Sequence, residues 1–259
     1  MQPTLSDAIQ WVSEAGEILR RGFGLRHDIQ SKGPTDLVTE IDHQSEALLV
    51  KHILQRFPTH HIITEESGAL NGESDYCWYI DPMDGTINYA HGLPLFCVSL
   101  AFAVRGKLQL GVIYDPYHNE LFTAEAGQGA ALNGKPIHVS QTSHLNHALL
   151  VTGLPHNLEN SAGKSAFTLI EKFTLLTQGV RRLGSAALDL CYVACGRLDG
   201  FYELEINHYD LAAGTLIVRE AGGLATRANG EADVLTPPCS ILAANPALYR
   251  EMRSIIGYN

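Results

Sequence analysis

The chain has 259 residues, 45% of them hydrophobic, and a formal net charge of −10. That length suits one large domain or two closely joined ones; the acidity argues against a direct nucleic-acid surface, and no apolar run reaches the roughly 18 residues of a transmembrane helix. The start, Met1 to Asp7, lacks the basic n-region of a signal peptide, and five cysteines without a C-x-x-C pair read as reduced, buried thiols of a cytoplasmic protein.

Leu5, Ala8, Ile9, Val12, Ala15, Ile18 and Leu19 share one helical face. A second helix is expected from Asp42 to Phe57, with Ser45, Leu48, Leu49, His52 and Ile53 on one side, stopping before Pro58. Ile62 to Thr64 and Cys77 to Ile80 are short apolar strands. A meander follows from Phe96 to Val104, Leu108 to Asp115 and Glu120 to Glu125, with turns at Arg105-Gly106-Lys107 and at Pro116 to Asn119. Asn133-Gly134 marks another turn. After about residue 145 helix and strand alternate. Helices are expected from Ser165 to Thr177, Ser185 to Cys195 (ended by Gly196), Tyr209 to Ala221 and Pro246 to Ile256. Strands are expected from Val180 to Leu183, Gly200 to Leu204 and Ile241 to Ala244. Cys191 and Cys195, one helical turn apart, read as core positions.

The most informative stretch is Ile80-Asp81-Pro82-Met83-Asp84-Gly85-Thr86-Ile87-Asn88-Tyr89. An apolar strand ends in two aspartates that can face one divalent ion. Pro82 stiffens the turn and Gly85 lets the backbone fold tightly against a ligand. If a helix starts here, the Gly85 and Thr86 amides are free to cradle an anion. Carboxylates beside such a cradle suggest metal-dependent phosphate chemistry; alone, the motif also fits an aspartate-rich turn. Three further segments place acids at the edge of apolar runs: Lys32 to Asp42, Ile62-Ile63-Thr64-Glu65-Glu66-Ser67-Gly68, and His208-Tyr209-Asp210-Leu211-Ala212-Ala213-Gly214. These offer hard oxygens and no His/Cys ligand set, which favours Mg²⁺ over zinc.

Together the four segments resemble the inositol monophosphatase family of Mg²⁺-dependent, lithium-sensitive phosphatases, with signatures D-P-[IL]-D-G-T-x-N-[FY] and W-D-x-[AG]-[AG]-G. The resemblance runs from about Asp7 to Ile256. It implies an α+β protein, a layered αβαβα sandwich of the sugar phosphatase type, with the site between two halves. Residues 1–145 form an N-terminal α+β half carrying most metal ligands. Residues 146–259 form a C-terminal α/β half carrying Asp210 and the substrate contacts.

By the same resemblance, two or three Mg²⁺ ions bind per subunit. Glu65, Asp81 and the Met83 carbonyl hold the first, Asp81, Asp84 and Asp210 a second, and Glu65 helps position a third. Thr86, bonded to Asp42 as a proton relay, orients the nucleophilic water for direct in-line attack. The Gly85 and Thr86 amides bind the phosphate. Gly184, Ser185, Ala186 and Glu203, with Asp84 and Asp210, meet the substrate; Ser185 also fits a plain helix N-cap. Lys32 resembles a lysine near the metal entrance.

The function so implied is hydrolysis of myo-inositol 1-phosphate to inositol and phosphate. Other substrates of the family are fructose-1,6-bisphosphate, 3′-phosphoadenosine 5′-phosphate, histidinol phosphate and NADP. Segment Arg181 to Leu190 resembles the family's bacterial branch, some members of which associate with the transcription machinery, so a regulatory role is the rival reading. A homodimer is implied as well. Met83, Thr64 and Tyr209 depart from the usual Ile or Leu, Gly or Ser, and Trp at their positions.

Overall fold

The computed structural model describes residues 2–25, 29–33, 36–155 and 157–257, the side chains of 29–33 and 36–38 excepted. Its first half comprises α1 (Leu5–Gly22), a hairpin of β1 (Ile29–Gly33) and β2 (Asp36–Thr39), α2 (Glu40–Arg56), β3 (His61–Thr64), β4 (Gly68–Leu70), β5 (Tyr76–Asp84), the short α3 (Thr86–Ala90), and the strands β6 (Cys97–Val104), β7 (Lys107–Asp115), β8 (Glu120–Glu125), β9 (Ala130–Leu132) and β10 (Lys135–Pro136). The second comprises β11 (Leu149–Thr152), α4 (Ser161–Leu176), β12 (Gly179–Arg181), α5 (Ala186–Ala194), β13 (Gly200–Ile206), α6 (His208–Glu220), β14 (Leu224–Thr226), β15 (Cys239–Ala244) and α7 (Pro246–Ile256).

An eight-stranded sheet, ordered β10-β9-β8-β7-β6-β5-β3-β4, and a five-stranded sheet, ordered β12-β11-β13-β15-β14, set the layers. Helices α1 and α2 cover the outer face of the large sheet; α5 and α6 lie between the sheets; α4 and α7 cover the outer face of the small one. The protein is therefore the α+β, five-layer αβαβα sandwich expected from the sequence. Each helix–sheet interface needs an apolar stripe. In α1 it is Ala8, Trp11, Val12, Ala15 and Leu19, packed with Trp78, Ile80 and Phe102. Between the sheets Leu190, Val193, Leu211, Ile217, Phe122 and Phe201 form the largest core cluster.

Two features of the strands position the site. First, β3 and β5 run parallel with Thr64 beside Ile80, so Glu65 and Asp81 emerge from neighbouring carboxyl ends. β11 and β13 run parallel in the other sheet with Thr152 beside Tyr202, which places Gly153 and Glu203 at a second pair of such ends. Carboxyl ends of parallel strands are where ligands bind in open sheets. Second, β5 does not stop at Ile80 as the sequence suggested. It continues to Asp84 through a bulge, pairing Asp81 with Ser99 and Asp84 with Cys97. Pro82 cannot donate a ladder hydrogen bond and sits within the bulge. Residues three apart in a regular strand point to opposite faces; the extra residue lets Asp81 and Asp84 share one.

The remaining boundaries shift by a few residues. Helix α4 begins at Ser161 because the Asn160 side chain caps it, its Oδ1 accepting from the Gly163 amide at 2.8 Å. β12 stops at Arg181, and β13 runs on to Ile206 beside β15. The five cysteines are free thiols, with Cys191 buried and Cys195 half-buried. Among the described residues no helix is long and apolar enough to cross a membrane.

Helix α6 crosses β7 so closely that a Cβ at Gly111 would lie 2.8 Å from the Ala213 carbonyl oxygen. Gly111→Ala is therefore expected to destabilise the protein by about 1–3 kcal/mol and lower Tm by about 2 °C or more. A thermal melt checks this; an unchanged Tm would mean that α6 packs more loosely.

Candidate active site at the strand ends

Every residue expected to hold metal, substrate or the attacking water, except Asp42 and Lys32, lines one cavity of about 320 Å³. Lys32 lies on β1, and its side chain is outside the described residues. Asp42 reaches the cavity through Thr86, whose Oγ1 lies 2.9 Å from Asp42 Oδ1 and 3.0 Å from the Met83 carbonyl oxygen. The aim of Asp42 comes from local helix chemistry. Thr39 is the N-cap of α2 and Asp42 its N3 residue, so the Thr39 amide and hydroxyl donate to Asp42 Oδ2 at 2.8 and 2.6 Å. That leaves Oδ1 for Thr86. The same device recurs at α6, where the Asn207 amide donates to Asp210 Oδ2 at 3.2 Å.

Asp84 is held from across the cavity. Its Oδ2 accepts from the Ser185 hydroxyl at 2.6 Å and the Ala187 amide at 2.7 Å. Ser185 occupies the N-cap position of α5 but makes no capping hydrogen bond with its own side chain; Asp84 takes the helix end instead. Ser185 is 1% exposed, so its hydroxyl belongs to this internal link. Asn88 makes a second link, donating to the carbonyls of Leu95 and Leu183, both at 2.8 Å. Gly85 is the N-cap of α3 at φ 94°, and a Cβ there would lie 2.6 Å from the Leu95 carbonyl oxygen. Only glycine meets both demands.

Glu65 follows β3, its amide bonded to the Ile80 carbonyl at 3.3 Å. The loop that carries it is fastened by Glu46, which sequence reasoning did not single out. Glu46 is 4% exposed and accepts from Thr64 Oγ1 at 2.6 Å, from the Glu66 amide at 3.0 Å and from the Ser67 hydroxyl. Thr64 has its reason here: it supplies a hydroxyl to Glu46. Met83 is also explained. Its side chain is fully buried beneath α1 and α2, while its carbonyl faces Thr86.

The carboxylates crowd one another. Burial, followed by the charges of Glu65, Asp84 and Asp210, pushes Asp81 well above the usual carboxylate range. Burial, then Asp84 and Glu65, does the same to Asp210. Asp210 and Asp81 also act on each other directly, Asp210 raising Asp81 and Asp81 lowering Asp210. Burial raises Asp84 against the hydrogen bonds from Ser185 and Ala187, and raises Asp42 against those from Thr39 and Thr86. Two carboxylates at about 4 Å repel by roughly 4 kcal/mol at an effective dielectric of 20.

Among the described residues no three His, Cys, Asp or Glu side chains are already gathered as a ready-made coordination sphere. The donors are all hard oxygens, the set that fits Mg²⁺.

On the opposite wall, Glu203 is 8% exposed, and burial with the charge of Asp84 pushes it up to about 8 against the pull of Arg182. Its carboxylate stands over Gly153, where a Cβ would lie 1.9 Å from Oε2. Asp189, unnoticed in the sequence because it sits inside the apolar run Ala186 to Cys191, also lines the cavity. His208 lies outside it and packs edge-on against Tyr79, ring centroids 5.5 Å apart.

The model of the inositol monophosphatase family matches residues 1–256. A protein named Nus factor SuhB from Pasteurella multocida is 44% identical over 255 residues, covering 97% of this chain and 95% of that one. An inositol-1-monophosphatase from Synechocystis is 44% identical over 259 residues, covering 97% and 88%. The crystal structure of the extragenic suppressor protein suhB from Bartonella henselae superposes with a TM-score of 0.91 at 36% identity, covering 97% of both chains. A family match over nearly the whole length, relatives of this similarity and the same fold lead to one conclusion: the chain belongs to the inositol monophosphatase family.

Proposed function

We propose that this protein hydrolyses myo-inositol 1-phosphate, or a closely similar polyol monophosphate, to the alcohol and phosphate in an Mg²⁺-dependent reaction. The observation that supports this best is the gathering of Glu65, Asp81 and Asp84 at strand ends with Asp210 at the start of α6, beside the Thr86–Asp42 pair and the Gly85 turn. Members of the family are generally Mg²⁺-dependent and act on small phosphates. In this reading Glu65, Asp81 and the Met83 carbonyl hold one ion; Asp81, Asp84 and Asp210 hold a second; Glu65 contributes to a third. When bound, these ions neutralise phosphoryl oxygens, activate water and stabilise the leaving alkoxide.

The chain's own groups do the rest. The Gly85 and Thr86 amides receive the phosphate. The Thr86 hydroxyl orients the attacking water, taking a proton from it while passing its own to Asp42 Oδ1; with water as the nucleophile, attack is direct and no phospho-enzyme forms. Gly184, Ser185 and Ala186 present the start of α5 to the alcohol, and Glu203 accepts hydrogen bonds from its hydroxyls. We read residues 1–145 and 146–259 as two halves closing on this cavity, and the protein as a cytoplasmic homodimer. The exposed Ile87, Leu93 and Phe167 suit a subunit contact. The name Nus factor of the Pasteurella relative supports a second reading, association with the transcription machinery through the exposed Arg181 and Arg182. Co-purification from lysate, with wild type against a double alanine variant of these arginines, tests it.

Phosphate release from inositol 1-phosphate should require Mg²⁺ and be inhibited by millimolar lithium. Asp84→Asn should nearly abolish it and Met83→Leu should leave it nearly unchanged; full activity in Asp84→Asn would remove the proposed metal site. Glu203→Ala should lower kcat/KM for inositol 1-phosphate by roughly 10- to 150-fold, and for p-nitrophenyl phosphate far less. An equal loss on both substrates would assign Glu203 to the fold.

The raised carboxyls also give a pH dependence. Asp81, Asp84, Asp210 and Glu203 keep protons in the metal-free fold where the unfolded chain has lost them. Their contribution to stability therefore declines as pH rises from the ordinary carboxylate range to about 8 for Glu203. His60 and His208, held low by burial, act in the opposite sense and cancel when melts in Mg²⁺ and EDTA are subtracted. At Mg²⁺ about 100-fold over its Kd the stabilisation is roughly 2.7 kcal/mol. The Tm difference should grow between about pH 5.5 and about pH 8; a difference of zero throughout would count against metal binding.

A further inference from the structure

The wall facing the phosphate cradle carries two acids, and Proposed function uses only Glu203. Asp189 lies one turn into α5, 1% exposed, and lines the same cavity. Its Oδ1 is buried without a hydrogen-bond partner, unlike the carboxylates of Asp42, Glu46 and Asp84, which are each fixed by several donors. A buried acceptor left unpaired is costly and is retained where something outside the fold completes it. Burial, Asp84 and Glu203 together push the Asp189 carboxyl well above the usual range, while Arg182 at the rim pulls the other way. The two acids and Arg182 belong to the second half of the chain and line the cavity that Gly85 and Thr86 line from the first, so they are placed to meet the part of the ligand remote from its phosphate.

We infer that Asp189 is a specificity-determining residue, which with Glu203 forms a paired-acid receptor for the hydroxyl groups of a polyol phosphate. This rests on the proposed phosphatase reading. A hydroxyl hydrogen completes Oδ1, and a neighbouring hydroxyl on the same ligand reaches Glu203. A ligand without hydroxyls leaves both unpaired. The backbone supports the arrangement: a Cβ at 153 would push the Glu203 carboxylate from its place, and Ser185 and Ala187 at the start of α5 are fixed to Asp84. Asp189 is therefore carried on a helix whose position is tied to the phosphate side of the cavity.

The test compares wild type, Asp189→Ala and Asp189→Asn on inositol 1-phosphate, glycerol 2-phosphate and p-nitrophenyl phosphate in saturating Mg²⁺. Asp189→Ala should raise KM for inositol 1-phosphate by roughly 10-fold or more with kcat within about 3-fold, and leave p-nitrophenyl phosphate within about 3-fold. Asn keeps an acceptor and a donor, so it should recover most of the lost KM. Asn also removes a buried charge, so its Tm should equal or exceed that of wild type; this keeps the comparison valid if the alanine variant is unstable. Wild-type preference for the polyol phosphates, with both variants unchanged, would overturn the role of Asp189 and leave the phosphatase reading standing. So would equal losses on all three substrates, which would mark a structural residue. A wild type that turns over p-nitrophenyl phosphate but prefers neither polyol would overturn the substrate reading and the receptor with it.

Discussion

The mutual repulsion of Glu65, Asp81, Asp84 and Asp210 is the constraint on which the rest of this structure depends. Folding brings them together at the carboxyl ends of β3 and β5 and the start of α6. The bulge in β5 turns two aspartates to one face, and the capping geometry of α6 aims a further one at them. None of this is favourable for the acids themselves. The raised proton affinities of Asp81 and Asp210 record the conflict. The sandwich around them, with three apolar clusters, supplies the stability that tolerates it.

The same acids join the two sheets. Asp84, on a strand of the large sheet, takes the N-terminal end of α5, whose chain continues into β13 and Glu203. Asn88 holds the Leu183 carbonyl just before that helix. On the proposed reading, a change of position at the phosphate side is thus transmitted to the wall that would meet the alcohol, and substitutions on α5 and β13 would alter that wall while Asp84 keeps the two in register.

What the sequence disclosed and what it hid divide along one line. Local chemistry was legible. The helix of Pro246 to Ile256 and the strand of Glu120 to Glu125 follow from periodicity and turn residues, and the five layers from the resemblance to the family. The D-P-x-D-G-T stretch names its own chemistry, whereas the T-x-x-D and N-x-x-D boxes at Thr39 and Asn207 went unused, the expected helices starting at Asp42 and Tyr209 instead of Glu40 and His208. Links between distant segments were not legible. Nothing in the run around Glu46 shows that it will be buried to hold Thr64, Glu66 and Ser67; its helix position reads as polar surface. Asp189 lies in an apolar run, where the usable signal was an acid that the helix must bury. The bulge was hidden because Pro82 in an apolar stretch reads as a strand end, and only pairing with β6 carries the strand beyond it.

If the crowded acids keep protons until cations arrive, Mg²⁺ must displace those protons as it binds. Calorimetric titration of the metal-free protein with Mg²⁺ near pH 6.5, repeated in buffers of different ionisation enthalpy, counts those protons directly. Release of about one proton or more per subunit, falling towards zero as pH rises to about 9, is the expected result. Binding with no proton release at any pH would show that the four carboxylates are already ionised and at ease in the empty site, contradicting the frustrated cluster on which this reading of the structure is built.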